Sequence, residues 1–415
     1  MKLYSSILLV ASLSSFVQAT TLKEMIDATL QKNENLKALH IETDAKQKNY
    51  ESVSNSFKPS VVVGAKYTRL DLDTRAVQVG STGVGFAKFE LNLYDGGKGE
   101  ALKEEKYNEF YASKFSSKAT TKDTLFELIS LYFQARTIIE NIKVFQEKAK
   151  TLQAQYQRVQ TKYEIKMTTI DEVLKLKSEY ESNQYMIDDL SYQKEELFAN
   201  LSLLSSLEIT SLDSKGLPDV KELSYQKGED IQSLEYAYKA SKSVYKELKA
   251  IKLPQLKLED TLSVYSYDEY NHKLLTDLPD TQNQLNLTLT YNLYDTTSSQ
   301  KIASSKLQAL SLSQKLSYTQ KKAKMKFRLA KKKLYTQKKK IHSLKSALDM
   351  GESVYEMVNV KYKNGLVDNI TYLDALSKKT YNEALYKQAL NEYEITKAAY
   401  FLSSGVDFHT LIKSW

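Results

Sequence analysis

Cysteine is missing from all 415 residues, which excludes disulfides, thiolate metal sites and a lipid-modified N-terminal cysteine. Histidine occurs only at 40, 272, 342 and 409, and no two of these form a ligand-type pair. Four prolines and twelve glycines are too few for a fold built mainly of turns. Proline is absent from 60 to 217 and after 279, so nothing forces a break in a long helix there. Past the N-terminus no stretch approaches the ~20 consecutive apolar residues of a spanning helix. A nucleophile, a base and an orienting group nowhere occur together, so no catalysis, metal or cofactor is expected.

What is present begins with an export signal. Lys2, the apolar run Leu3 to Ala11 and the small-residue ending Val17-Gln18-Ala19 read as a secretory signal peptide over 1–19, with a mature chain from about Thr20. An exported chain without an apolar helix is either soluble or a β-barrel. Abundant Lys, Glu, Leu, Ala, Gln and Ser point to long helices.

The chain also repeats itself. A shift of 195 sets Lys32, Leu39, Ala45, Tyr50 and Pro59 on Lys227, Leu234, Ala240, Tyr245 and Pro254. NLYD at 92–95 returns at 292–295, a shift of 200, and TKYEIKMTTIDEVL matches VKYKNGLVDNITYL at a shift of 199, which places Tyr163 on Tyr362. Both halves therefore share one order of elements.

Each half runs from a helix through a Pro into two alternating segments. Leu285, Leu287, Leu289, Tyr291 and Leu293 share one face, with Asn286, Thr288, Thr290 and Asn292 on the other. Ala87, Phe89, Leu91 and Leu93 likewise oppose Lys88, Glu90 and Asn92. The segment before the 285–293 run alternates Leu256, Leu258, Leu262 and Val264 with polar residues and is interrupted by Asp260. After NLYD the period changes. Val159, Tyr156, Leu152, Ala149, Phe145, Ile142, Ile139, Ala135, Tyr132, Leu128 and Leu125 recede from Tyr163 in steps of three and four. Val358, Tyr355, Gly351, Leu348, Leu344 and Ile341 recede from Tyr362 in the same way. This is a coiled-coil seam. A helix over about 98–163 would be on the order of 100 Å long.

The expected segments are a signal peptide (1–19), a helix (20–57), a β-hairpin (58–95), a long helical hairpin (96–206) and a connector (207–227). A second helix (228–252), hairpin (253–295) and helical hairpin (296–403) follow, then a tail (404–415). Four strands cannot close a sheet, since membrane barrels need at least ~8 strands. Closure requires further copies of the chain, with the apolar face toward lipid, the polar face lining a lumen, and helices extending that lumen.

Signal peptide, duplicated order, LYDGGKGEAL at 93–102 and YKNGLVDNITYLDAL at 362–376 together resemble the TolC-like outer membrane factor family over essentially the whole mature chain. The resemblance implies a mainly α chain with a β-barrel portion. Three copies would form a twelve-stranded barrel in the outer membrane of a Gram-negative bacterium, continued by an α-helical coiled-coil barrel in the periplasm. It implies a passive exit duct that docks a periplasmic adaptor and an inner-membrane pump or ABC transporter, in a tripartite efflux pump or a type I secretion system. Over the same positions it implies a tunnel constriction at Tyr362 and Asp374. Thr371 stands at a further acidic position of the family, Val367 at its basic link, and Glu172 at the matching acidic place of the first half. A ring with fewer carboxylates would alter cation preference. Gly365, Leu366 and Val367, with Met167 and Thr168 opposite, would be the adaptor-contact tips. Lys166 stands where the family usually has Gly, which leaves the turn to form without positive φ there. The rival reading is a soluble periplasmic coiled-coil scaffold whose hairpins pack on helices.

Residues 296–348 hold fifteen Lys and Arg and no Asp or Glu, whereas 164–196 has an acidic excess. Export and interspersed apolar positions favour a solvated helix face over nucleic-acid binding, one that lies beside the acidic helix in the assembly or along the tunnel wall. Tyr67, Tyr265, Tyr267 and Tyr270, and Tyr94, Tyr291 and Tyr294, are expected in interfacial aromatic girdles. Tyr156, Tyr163 and Tyr355 are expected in ordinary packing. Gly96-Gly97-Lys98-Gly99 lacks phosphate-loop spacing and marks a strand-to-helix transition.

Overall fold

The computed structural model describes residues 19–55, 58–70, 79–219, 222–269 and 273–406. The expected signal peptide up to residue 18, most of the stretch 71–83, Tyr270, His272, and the tail from 407 with His409 and Trp415 lie outside the described residues. The elements are α1 (Leu22–Lys32), α2 (Glu34–Asn55), β1 (Ser60–Arg69), β2 (Ser81–Tyr94), α3 (Lys98–Glu164) and α4 (Ile170–Ser205). They continue as α5 (Glu229–Ala250), β3 (Gln255–Asp268), β4 (Thr281–Thr290), α6 (Thr296–Lys363) and α7 (Asn369–Ser403). The duplicated series of helix, β-hairpin and long helical hairpin is thus the architecture of the chain.

Two compact units interleave along the sequence. One gathers Ala38–Lys118 and Glu229–Lys322, and the other Met1–Lys37, Ala119–Gly228 and Ala323–Trp415. The long helices α3 and α6 contribute residues to both.

In the first unit the four strands form one antiparallel sheet in the order β1-β2-β3-β4. Register fixes which side chains share a face. Val61 pairs with Phe89, Phe89 with Asp260 and Asp260 with Leu285. Leu91, Leu258 and Leu287 form the next row, and Val63, Ala87 and Leu262 the row on the other side. These residues make an apolar face on which Val63, Leu285, Leu287 and Leu289 are 64–79% exposed. On the opposite face Glu90 stands directly across from Glu259, a like-charge pair that would be destabilising alone. Lys257 reaches Glu259 at 2.8 Å and Glu90 at 3.4 Å, and Lys88 reaches Glu259 at 2.8 Å, so two cations and two anions balance.

Two expectations about the strands are corrected here. Parity places Tyr265 and Tyr267 on the polar face, with Val84 and Thr82, where their rings stack at 5.8 Å, so they do not belong to an outward girdle. Strand β4 ends at Thr290, paired with Gln255, because Pro254 precedes its partner strand and has no N–H to offer. Tyr291 and Leu293 therefore lie beyond the ladder and are exposed.

The two copies of NLYD end in the same structural role. Asp95 accepts the N–H of Gly97 at 2.9 Å and of Gly99 at 2.6 Å where α3 begins. Asp295 accepts the N–H of Ser298 at 3.1 Å, and the Ser298 hydroxyl as well, where α6 begins. A carboxylate at this point satisfies orphan N–H groups and complements the helix dipole.

The second unit holds two apolar clusters. Met25 and Ile26 of α1, Leu128, Ile129, Tyr132 and Phe133 of α3, and Leu201, Ala398 and Phe401 close one core. The N-terminal segment was expected as a single helix over 20–57, but it breaks at Asn33. The Asn33 side chain accepts the N–H of Leu36 at 3.1 Å, capping the start of α2, and donates to the carbonyl of Leu204 at 2.9 Å. Thr21 and Glu24 form a reciprocal capping box at the start of α1.

Contacts order the four long segments side by side. Asn183 of α4 donates to the carbonyl of Phe145 on α3, and Lys387 of α7 lies 3.4 Å from Glu140 of α3. Asn382 of α7 donates to the carbonyl of Ala347 on α6. These contacts join α4 to α3, α3 to α7 and α7 to α6, and at the tips Arg158 of α3 also donates to the carbonyl of Lys363 on α6 at 3.4 Å. The seam read from the sequence is the buried one: Leu125, Leu128, Tyr132, Ala135, Ala149, Leu152 and Val159 are all buried.

Candidate functional site at the helical tips

Each helical hairpin turns through the same six-residue device. Met167 N–H bonds the carbonyl of Lys162 at 2.8 Å and Lys166 N–H that of Tyr163 at 2.9 Å. Leu366 N–H bonds Lys361 at 2.9 Å and Gly365 N–H bonds Tyr362 at 3.1 Å. Both are Schellman turns, whose pivot must sit in the left-handed region. Gly365 does so at φ 72°, and Lys166 does so at φ 62°, contrary to the expectation that lysine would avoid positive φ. The geometry of the paired 6→1 and 5→2 bonds imposes it whatever the side chain. Strain of roughly 1 kcal/mol follows for Lys166. Lys166→Gly is expected to protect the amides of 165–168 by about 1 kcal/mol in native-state hydrogen exchange, with no change in the second tip.

The residues after each turn differ. Asp368 caps α7, accepting the Thr371 N–H at 2.8 Å and the Thr371 hydroxyl at 2.6 Å, and these bonds hold the Asp368 carboxyl below its ordinary range. Thr371, expected at an acidic position of the constriction, is thus engaged with the cap. The first tip lacks a side-chain bond at its N-cap residue, Thr169, and Thr168 instead donates to Glu172 at 2.8 Å.

Behind the turns lies the second apolar cluster, with Leu152, Val159, Val173, Leu176, Tyr372 and Leu376 buried and Tyr362 and Tyr355 packed against it. Tyr372 is the keystone that the motif reading passed over. It is fully buried, stacks on Tyr362 at 4.7 Å with ring planes 19° apart, and lies 6.0 Å from the ring of Tyr355. Its hydroxyl is 3.5 Å from that of Tyr355. Burial, reinforced by Tyr355, pushes the Tyr372 phenol well above its usual value. Burial also raises the Tyr362 phenol, and the Glu172 carboxylate acts in the same direction, which puts Glu172 in the electrostatic neighbourhood of Tyr362. The helical spacing Asn369, Tyr372, Leu376, Thr380, all buried, is the signal that could have found Tyr372. Tyr163, expected in ordinary packing, is instead 42% exposed.

Asp374 is exposed and carries its own counter-ion, Lys378, at 2.7 Å. The structure thus brings together Tyr362 and Glu172, occupies Thr371 in a cap, and gives Asp374 a cationic neighbour. At the extremities Met167 and Leu366, equivalent in the two turns, are 71% and 72% exposed, and Ile165, Ile170 and Ile370 are exposed beside them. Gly365 and Thr168 belong to the same turns, and Val367 is partly buried. Among the described residues no group of acids and histidines could hold a metal ion, and no helix is long and apolar enough to cross a membrane.

The outer membrane efflux protein family matches over residues 25–205. No curated protein matches the chain. Solved structures of similar fold include the CmeC outer membrane channel of Campylobacter jejuni, with TM-score 0.84 and 16% identity, covering 92% of this chain and 85% of that one. The outer membrane protein VceC of Vibrio cholerae gives TM-score 0.80 and 13% identity, over 93% and 96% of the two chains. The open-state MtrE outer membrane channel of Neisseria gonorrhoeae gives TM-score 0.78 and 18% identity, over 92% and 89%. At these identities the likeness is one of fold.

Proposed function

We infer that this chain, a TolC-like outer membrane factor by family match and by fold, is the outer-membrane exit duct of an efflux pump and passively conducts cargo from periplasm to exterior. The observation that carries this reading is the sheet. Its apolar face is exposed, and its edge strands β1 and β4 offer unpaired backbone. Exposed edges and apolar faces are tolerated only where something covers them. Three copies of four strands make twelve, enough to close a barrel whose outer face meets lipid and whose polar face lines a lumen.

The helices support the same closure. Helices α4 and α6 carry exposed Tyr185, Tyr192 and Leu203, and Met350, Val354 and Met357. A second copy would set α6 of one subunit against α4 of the next, and the acid-free stretch 296–348 against the acid-rich 164–196. Within the chain some of these lysines are already engaged: Lys340 lies 2.8 Å from Glu392, and Lys331 pairs with Glu222.

Tyr362, Glu172, Thr371 and Asp374 are proposed to line the narrowest part of the tunnel. Gly365, Leu366, Val367, Met167 and Thr168 are proposed to face a periplasmic adaptor, which couples the duct to an inner-membrane pump. The exposed apolar side chains at the tips support that surface, since water is a poor partner for them.

The test is conductance. Purified protein from the outer-membrane fraction is expected to run as a heat-modifiable trimer and to open channels in planar bilayers. Asp374→Ala should lower cation over anion permeability, and Lys378→Gln should raise it by freeing the carboxylate. Recovery of the protein in osmotic-shock fluid, or no channels, would sink the duct. Channels with unchanged selectivity in both variants would sink only the constriction assignment.

A further inference from the structure

The two hairpins repeat one another rung for rung. Their sequences are displaced by 195 at the prolines, Pro59 and Pro254, and by 200 at NLYD. Ser60 pairs with Glu90 in the first hairpin. Displaced by the same two amounts these become Gln255 and Thr290, which are partners in the second. The agreement continues from Val61 with Phe89 and Leu256 with Leu289 to Arg69 with Ser81 and Val264 with Thr281.

One difference separates the copies. Strand β2 runs on past Glu90 to Tyr94, because Leu91, Asn92 and Tyr94 still pair with Leu258, Lys257 and Leu256 of β3, on the side away from β1. Strand β4 stops at Thr290, and the equivalent residues Tyr291, Asn292 and Tyr294 have no strand beside them among the described residues. The consequence shows in exposure. Leu93 and Tyr94 are 48% and 51% exposed, whereas Leu293 and Tyr294 are each 87% exposed. By the same repeat, the strand that stands to β4 as β3 stands to β2 is β1. Within one chain β1 lies at the opposite edge of the sheet, so only the β1 of another copy can take that place.

We propose that β1 of a neighbouring copy pairs with β4 in the register that β3 keeps on β2, and that β4 thereby lengthens to Tyr294. The proposal rests on the three-copy barrel inferred above and fixes the register of its seam. Phe89 pairs with Asp260, so Leu289 meets Ala65 of the neighbouring copy. Leu91 with Leu258 likewise gives Tyr291 with Val63, and Asn92 with Lys257 gives Asn292 with Val62. The faces then agree across the seam. Leu287, Leu289 and Tyr291 meet Tyr67, Ala65 and Val63 on the apolar side, while Thr288 meets Lys66 on the polar side. No like charges oppose one another, and Tyr291 with Val63 is a favourable aromatic and β-branched pair. A slip of one residue would turn every apolar side chain to the wrong face, so the competing registers are slips of two, which bring Tyr291 to Val61 or Ala65.

A chain without cysteine lets disulfides report the register directly. Directly opposite Cβ atoms lie ~4.5–5.5 Å apart and diagonal ones ~7–8 Å, while a disulfide takes ~3.5–4.5 Å. Of two successive rungs one is the closer, non-hydrogen-bonded kind. Within one chain β1 and β4 stand about 14 Å apart, so a disulfide between them joins two copies. Tyr291→Cys with Val63→Cys, and Asn292→Cys with Val62→Cys, are oxidised in full-length protein from outer membranes and boiled without reductant. At least one pair is expected to run at the mass of a covalent trimer and to return to one chain on reduction. Tyr291→Cys with Val61→Cys or with Ala65→Cys should stay at the mass of one chain. Amide exchange of the unsubstituted trimer reads the lengthened strand independently, with protection expected within 291–293. A covalent trimer formed more readily by a slipped pair would overturn the proposal. So would fast exchange throughout 291–293, or a heat-modifiable trimer that none of the pairs cross-links. Absence of any trimer, before or after oxidation, would instead overturn the three-copy barrel itself.

Discussion

Lys397→Ala is expected to cost about 3–5 kcal/mol per protomer, the range for breaking a buried ion pair and stranding its partner. Lys397 is 3% exposed on α7. Its ammonium donates to the carbonyl of Leu217 at 2.7 Å and lies 2.8 Å from Glu394, which in turn accepts the N–H of Leu217 at 2.7 Å. One ion pair thus satisfies both backbone groups of a connector residue that no helix or strand can serve. Tyr400, one turn on, repeats the device at Leu223, accepting its N–H at 3.0 Å and donating to its carbonyl at 3.3 Å. A little further, Gly405 passes so close to Gln226 that a Cβ would meet its carbonyl oxygen at 2.3 Å, which requires glycine there. Removing the ammonium leaves Glu394 charged and largely enclosed. Thermal unfolding of the purified protein, followed by circular dichroism, should show the loss. Lys397→Met with Glu394→Leu should recover part of it, because no lone charge is then left. A single variant as stable as wild type would show that the connector is held some other way.

Tyr372→Ala is expected to cost a further class of stability, about 3–5 kcal/mol for an emptied aromatic site, and to act on conduction as well. The ring supports Tyr362 from behind, so its loss frees the side chain proposed to narrow the tunnel. Channels of the variant should show higher conductance at rest than wild type. Tyr372→Phe retains the stack and loses the hydroxyl's contacts to Tyr355 and Gln155, a difference of about 1 kcal/mol, and should conduct like wild type. Tyr163→Ala, at the exposed first-tip counterpart of Tyr362, should change neither quantity. Equal resting conductance in Tyr372→Ala and wild type would remove Tyr372 from the gate and leave it a packing residue.

Much of the fold is legible locally. Strands announce themselves by period two and the seams by steps of three and four, since each pattern reports which side chains leave one element on one side. The duplication is legible for the same reason, as the repeated NLYD shows: a strand must end and a helix must begin, and Asp95 and Asp295 serve both halves. The turn at Gly365 can be read from its glycine, but its partner at Lys166 cannot, because the left-handed pivot there is imposed by two backbone bonds and not by the residue.

By itself the sequence determined the kinds of elements, their order and their doubling, and that a sheet with one apolar face cannot be sealed by one chain. Tertiary structure decided what depends on partners distant in the chain. Pairing of β2 with β3 assigned Tyr265 and Tyr267 to the polar face and Asp260 to the apolar one. Packing of α7 on α3 buried Tyr372, and a carbonyl 180 residues away claimed Lys397. Periodicity is a property of neighbours along the backbone, whereas register, burial and hydrogen-bond satisfaction are settled only when remote segments meet.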